Sequence, residues 1–357
     1  MGQVVITQAI GFRNVGEKAK PEADLSTFTE EQKKVLKAIA QMQSITEKST
    51  EHWIKQSTAK EIKDWSNSSL KLERKLAAYG PLIGTDPSIQ FVVNSARRKL
   101  GQFREVDQWC SDYLRRQPSG PWHDAARMEL WLTRQQGPSP KSLMLSPFVE
   151  KKPFLDGKLN DACWKKGKVL TLNDAVGTTA DRAATKVMIT HDKEFIYLAI
   201  RCEHPRGLQV PKVDKRARDA NLDNYDRVSI FLDLDRDYST AYHFQVDQRG
   251  CARESCWGDK RWNPTWFVAV HSEETYWQAE AAIPRVGLTG DHFMQGRPWC
   301  CNIIRAMPGK GAQAWSLPAG NPESNPRLEG MGVLMFMPKK NQKTASEQPR
   351  PAMRRIP

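Results

Sequence analysis

The hydrophobic pattern of this 357-residue chain changes period once, across a Pro/Gly/Ser-rich stretch at residues 137–142. Before that stretch, apolar residues recur at helical spacing; after it, they alternate along short runs broken by turns. Helix and strand patterns do not interleave, which excludes βαβ units and a dinucleotide-binding fold. The pattern calls for an N-terminal α-helical domain followed by a C-terminal antiparallel β-sandwich or jelly roll. The segments are an N-terminal extension at 1–24, a helical domain at 25–137, a linker at 138–152, a sandwich at 153–337 and a basic disordered tail at 338–357.

In the helical part, Thr29-Glu30-Glu31 makes a helix start, and Val35, Leu36, Ile39, Met42 and Ile45 follow at helical spacing. A second helix covers 59–79 and stops at Gly80-Pro81. Leu100-Gly101-Gln102-Phe103, with Val106, Cys110, Tyr113 and Pro118 after it, has spacing that resembles the second half of a tetratricopeptide repeat. One copy is visible, and a plain helical hairpin whose Leu-Gly is a helix C-cap accounts for it equally. Both readings stay open. A further helix is expected at 122–132.

After residue 142 the expected strands include 186–190 and 194–200, a hairpin across His191-Asp192-Lys193, the second strand apolar on both faces. Val228, Ile230 and Leu232 share one face. Further strands are expected near 240–248, 266–271, 276–283, 299–306 and 331–337. Alternation puts Phe244 and Val246 toward a core and Gln245 and Asp247 on the opposite face, and it separates Asn302 from Ile303 and Arg305.

Four motifs stand in order: Phe154-Leu155-Asp156-Gly157-Lys158-Leu159-Asn160-Asp161-Ala162-Cys163-Trp164, Asp226-Arg227-Val228-Ser229-Ile230-Phe231-Leu232-Asp233, Tyr242-His243-Phe244-Gln245-Val246-Asp247 and Trp277-Gln278-Ala279-Glu280-Ala281-Ala282-Ile283-Pro284. The set resembles carbohydrate-binding module family 9 and its related DOMON-like β-sandwiches. The resemblance implies non-catalytic binding of a polysaccharide or other glycan, with the helical part as scaffold or as docking surface for a protein partner. It also implies an extracytoplasmic location. The alternatives are a structural or interaction protein whose sandwich no longer binds sugar, and an accessory module of a glycoside hydrolase system.

Cellulose-binding members of the family clamp a terminal sugar between two tryptophans. Asp223 and Asn325 stand at those places, and Gln245 and Asp247 stand where the family uses Arg and Asn. Without that clamp, flat rings must come from elsewhere. Trp257 and Trp262 flank the polar run Gly258-Asp259-Lys260-Arg261 and are expected to be exposed rings. Trp266 lies beside them, although it and Trp277 also fit core positions of strands. Gln245, Asp247, Arg249, Glu254, Asn302 and Arg305 are candidates for fixing hydroxyls, with ladder-edge or salt-bridge roles as the alternative.

Asp233, Asp235 and Asp237 alternate at a strand end and are calcium candidates, against a solvated turn that lacks the Gly and Glu of an EF-hand. DOMON-like relatives bind haem through axial Met or His, and Met188, His191, His243 and Met331 are of the right type, with methionine packed in a core as the alternative. No cofactor is expected. There is no Ser/His/Asp, Cys/His or phosphate-loop pattern, and Glu280 lies within an alternating strand as a structural feature, so no catalytic residue is expected.

The net charge of +13 invites a nucleic-acid partner. Part of the excess sits in the tail, in Lys339, Lys340, Lys343, Arg350, Arg354 and Arg355, and no nucleic-acid module accompanies it; such a partner is not expected. The seven cysteines lack zinc spacing. Cys251 and Cys256 either pair across a hairpin or lie buried as small hydrophobes. No apolar run approaches the roughly 18 residues of a membrane-spanning helix. Met1–Ile10 has no basic n-region or cleavage site, so the chain is either not exported or starts downstream of a leader.

Overall fold

The structure is a computed structural model and describes residues 29–30, 33, 59–80, 84–175, 183–205, 216–289, 297–322 and 324–339. The N-terminal extension, the expected helix around Val35 to Ile45 and nearly all of the basic tail lie outside the described residues. The N-terminal part is helical: α1 (Ala59–Ala77), α2 (Pro87–Lys99), α3 (Phe103–Arg116) and α4 (Pro121–Arg134). α2 starts where the extended Asp86 accepts the Ser88 N–H at 2.9 Å and Pro87 occupies the first turn. It stops at Leu100-Gly101, where Gly101 takes a φ of +76°. The Gly101 N–H donates to the Arg98 carbonyl and the Gln102 N–H to the Arg97 carbonyl. Those two bonds make a Schellman cap, which serves a plain hairpin and a repeat turn alike.

The C-terminal part is a β-sandwich. Its strands are β1 (Leu143–Ser146), β2 (Leu170–Thr171), β3 (Asn173–Asp174), β4 (Thr185–His191), β5 (Phe195–Glu203), β6 (Arg227–Asp233), β7 (Tyr242–Asp247) and β8 (Ala252–Cys256), followed by β9 (Phe267–Ser272), β10 (Tyr276–Pro284), β11 (Trp299–Met307), β12 (Gly311–Ala314), β13 (Gly320–Asn321), β14 (Asn325–Pro326) and β15 (Gly332–Phe336). One sheet has eight strands in the order β1-β15-β11-β6-β7-β8, with β12 beside β11 and β3 beside β12; the other runs β2-β4-β5-β10-β9. The pairings are antiparallel except that of β1 with β15, where Leu143 lies opposite Val333. β1 falls inside the stretch expected to be linker. A four-residue Leu-Met-Leu-Ser strand is too short to show a period and needs no turn to add in parallel, so its sequence carries no strand signal.

The expected hairpin forms as β4 and β5, and Asp192 Oδ1 closes its turn by accepting the Glu194 and Phe195 N–H groups at 2.7 Å. Between the sheets lie Val187, Ile189, Leu198 and Ile200 from one side and Val228, Ile230, Phe244, Val246 and Ile303 from the other, all buried. The outer face of each sheet is also covered. A segment carrying Val149, Cys163 and Trp164 packs on Tyr197, Ala199 and Ala282 of the five-stranded sheet. Phe91, Val106, Cys110, Tyr113, Ala125 and Ala126 of α2, α3 and α4 pack on Phe231, Cys300, Ile304 and Ala314 of the eight-stranded sheet. The helices therefore form a third layer of the molecule. Burying each large apolar side chain of that kind contributes about 1.5–3 kcal/mol.

Polar groups lock the helical layer in place. Lys99 donates to Asp235 at 2.7 Å, and Arg98 and Arg236 converge on Glu129. Burial alone would raise the Glu129 carboxyl, but the Arg236 and Arg98 guanidiniums hold it below its ordinary value. All seven cysteines are free and buried, which removes the Cys251–Cys256 pairing and leaves the small-hydrophobe alternative. Among the described residues, no helix is long and apolar enough to cross a membrane.

Candidate functional site

Two of the four ordered motifs meet at Glu280, on the outer face of the five-stranded sheet. Its buried carboxylate accepts the Trp164 Nε1–H at 2.8 Å, the Gly157 N–H at 2.9 Å and the Asp156 N–H at 3.1 Å. Gly157 has a φ of +84°, and a Cβ there would stand 2.6 Å from the His271 nitrogen. No larger residue lets this turn approach β9 so closely. Burial raises the Glu280 carboxyl, and its three donors lower it again in part. The group is a pin between segments, sealed away from any reacting molecule.

A second pin sits at the inner end of the sandwich. Arg305 reaches Asp226 through Nε at 2.8 Å and NH2 at 2.6 Å, and Trp277 Nε1 donates to the same carboxylate at 2.8 Å. Arg305 also donates to the Thr185 hydroxyl and the Glu203 carbonyl. Arg305 was a candidate ligand residue. It shares the inner face with Ile303, as alternation requires, and its side chain is fully buried among the partners just named. Asn302 is on the outer face but buried; its amide holds the Ser316 backbone and the Ile303 N–H.

Trp266 is core, 6% exposed, and donates to Glu254 Oε2 at 2.8 Å. Trp257 and Trp262 are partly buried, leaning on Tyr242 at centroid distances of 6.5 and 5.0 Å, and Trp262 also meets Phe244 at 5.5 Å. The expectation of freestanding rings is corrected. Tyr242 and Phe244 need cover where the sandwich opens between β8 and β9, and these indoles supply it. They lie on the inner side of β7, while Gln245 points outward, so the structure does not bring the tryptophans and Gln245 together.

The outer face of β6, β7 and β8 instead carries polar rows fixed by register. Ser229 lies opposite Gln245, and Gln245 opposite Arg253. Gln245 Nε2 donates to Ser229 Oγ, and Arg253 Nε donates to Gln245 Oε1. Arg253 NH2 then reaches Asp223 Oδ1 at 2.8 Å. The Asp223 side chain is 53% exposed and that of Arg253 17%, so the row opens to solvent at its Asp223 end. In the next row His243 stacks on Phe231 at 4.1 Å, with its buried Nε2 unbonded. Burial first, then the Arg253 and Arg227 charges, push His243 down to about 3, so the ring is neutral. Asp247 is fully buried and closes the β7–β8 turn by accepting the Arg249 and Cys251 N–H groups. Arg249 lies flat on Tyr225, 3.3 Å from the ring centroid, and donates to the Asn221 carbonyl. Arg253 and Ser229 were missed in the sequence. Their only signal is register, which a single chain does not display before its hairpin is built.

Asp233, Asp235 and Asp237 do come together, their carboxylate oxygens within 4.8 Å of one another. Asp233 and Asp237 are buried and Asp235 is partly buried at the helix–sheet seam, not in a solvated turn. Asp233 and Asp237 take backbone N–H groups, and Asp235 takes Lys99 and Ser95. Burial and the neighbouring carboxylates raise Asp233, and raise Asp237 to about 7, while Lys99 outweighs burial and lowers Asp235. The four haem candidates are scattered: Met188 under the outer segment, Met331 in the helical seam, His191 between Phe148 and Phe336, and His243 on Phe231.

No family model and no curated protein matches the chain. Among solved structures, a family 9 carbohydrate-binding module from Caldicellulosiruptor kristjanssonii in complex with cellotriose is similar over 56% of this chain and 95% of its own, at 14% identity and a TM-score of 0.43. A family 9 module from the same organism in complex with glucose is similar over 57% and 99%, at 15% identity and 0.40. A Bacteroides uniformis protein with a provisional carbohydrate-binding assignment is similar over 55% and 100%, at 13% identity and 0.44.

Proposed function

We propose that the protein binds a carbohydrate without transforming it, through the outer polar face of β6, β7 and β8. The observation that carries this reading is the half-exposed Asp223, paired with the largely covered Arg253 at the end of the Ser229–Gln245–Arg253 row. Asp223 stands where the family resemblance places one clamping tryptophan, and Gln245 where it places an arginine. A carboxylate beside a guanidinium offers an acceptor and several donors at the spacing of neighbouring sugar hydroxyls. Tyr225, capped by Arg249, is the ring nearest in sequence to Asp223. The fixed imidazole of His243 adds a neutral polar wall. Binding would rest on hydrogen bonds more than on stacking, which favours recognition of hydroxyl pattern over flat crystalline surfaces.

A second reading, an interaction protein that binds no sugar, has one observation in its favour: α2, α3 and α4 cover the Phe231–Ile304 part of the same face. A glycan array probed with the full chain separates the two. The carbohydrate reading expects selective binding that falls about tenfold in Arg253→Ala, the loss of one charge-assisted contact. An array with no signal above background promotes the second reading.

A further inference from the structure

Where the helical layer meets the sandwich, a cleft of about 270 Å³ opens between α4 and the loop that follows β12. Both layers build it. Asp124 comes from the first turn of α4, Lys141 and Ser142 from the passage into β1, Asn173 from β3, and Trp315 and Leu317 from the loop after β12. Trp315, 6% exposed and packed on the sandwich core, is among its lining residues, and Gly332 leaves room for the ring: a Cβ at Gly332 would stand 2.6 Å from the indole. The volume lies just under the range of about 300–1,000 Å³ that holds drug-sized ligands, so the cleft suits a single ring and not a chain.

The polar groups on its walls have bonding capacity left. Lys141 Nζ donates to the Glu329 carbonyl at 2.6 Å and lies 4.9 Å from the Tyr238 ring centroid, which uses one of its three donors. Among the described residues, Lys141 makes no ion pair, and neither the Ser142 hydroxyl nor the Asn173 amide makes a side-chain hydrogen bond. Asp124 is half exposed and shares only a 3.2 Å contact with His123. Donors and acceptors line the cleft beside the Trp315 indole, and its one cation, Lys141, stands against Asp124 and Glu329, the latter paired with Arg327, so the walls carry no cationic excess and fit an uncharged polyol better than an anion.

We propose that this cleft holds one neutral hexopyranose unit, either a free sugar or the end of a chain. The inference rests on the carbohydrate reading above and gives the helical layer a direct part in it, since Pro121 and Asp124 of α4 form one wall.

The test is calorimetric titration of the full chain with the methyl pyranosides of glucose, galactose and mannose, with glucuronate as the charged arm. At least one methyl pyranoside should bind, and glucuronate should bind more weakly. Lys141→Met and Asp124→Asn should each weaken that binding about tenfold, as expected for loss of a hydrogen bond to a charged group, with melting temperature little changed. Leu317→Trp, which fills the mouth, should abolish it even where Lys141→Met fails to fold. Arg253→Ala should leave it intact. Monosaccharide binding that survives all three cleft variants overturns the inference, as does array binding that requires Arg253 while no methyl pyranoside binds; in both cases the carbohydrate reading stands. An empty array together with silent titrations overturns both.

Discussion

Arg305 shows how a residue can look like a ligand contact in a sequence and be a structural pin in the fold, and Glu280, legible as a structural feature, is a second pin. Arg305 makes four hydrogen bonds and Glu280 accepts three, all within the protein. Arg305→Met should strand the Asp226 carboxylate in the core at a cost of about 3–5 kcal/mol. Glu280→Ala should leave the buried Trp164 and Gly157 N–H groups unsatisfied and cost about 3 kcal/mol. Urea titration checks both, and near-native stability in either variant would contradict the assigned roles. The buried His191 and the partly buried His243 give a pH signature. Burial lowers His191 from 6.5 to about 4 and His243 to about 3. Their folded-state values lie below the unfolded one, so their contribution to stability is complete above pH 6.5 and is lost as pH falls toward 4 and 3. His243→Gln should flatten the acid limb of a stability–pH curve; an unchanged curve would show that the ring is protonated in the fold.

At the scale of elements, α2 meets the sandwich through Phe91, against the loop that follows β6. Phe91 meets Tyr238 at 5.0 Å and is flanked by Trp109 and Trp122 at 5.3 Å. Phe91→Ala should cost about 3–5 kcal/mol and loosen strands as well as helices, so hydrogen exchange should quicken in β6 and β11 together with α2. Protection lost from the helices alone would mean that the layers fold separately. What the sequence discloses follows the same division. β4, β5, β6, β7, β10 and β11 are long enough to show their alternation, and α1, α3 and α4 are legible from spacing and stops. β1 is too short to have a period, and the apolar stripe of α2 and α3 announces a buried face without naming what buries it. The polar row is hidden for a related reason. Ser229, Gln245 and Arg253 lie on three strands and become neighbours only through register, whereas the tryptophans of 257–266 are conspicuous in sequence and turn out to seal a core edge.

Across the whole molecule, helices, two sheets and an outer segment pack as successive layers with shared apolar clusters. Thermal unfolding followed by far-ultraviolet circular dichroism and by tryptophan fluorescence should therefore give coincident single transitions; two separated transitions would restore an independent helical domain. A molecule of this form places a half-exposed Asp223, paired with the largely covered Arg253, on one sheet face and holds the rest of that face rigid. The most direct measurement of its role is the glycan-array binding of the full chain beside Arg253→Ala and Asp223→Ala. Selective binding that both substitutions weaken about tenfold, with melting temperature unchanged, is the result expected from loss of a charge-assisted contact. Glycan binding untouched by either substitution, or no binding at all, would contradict it.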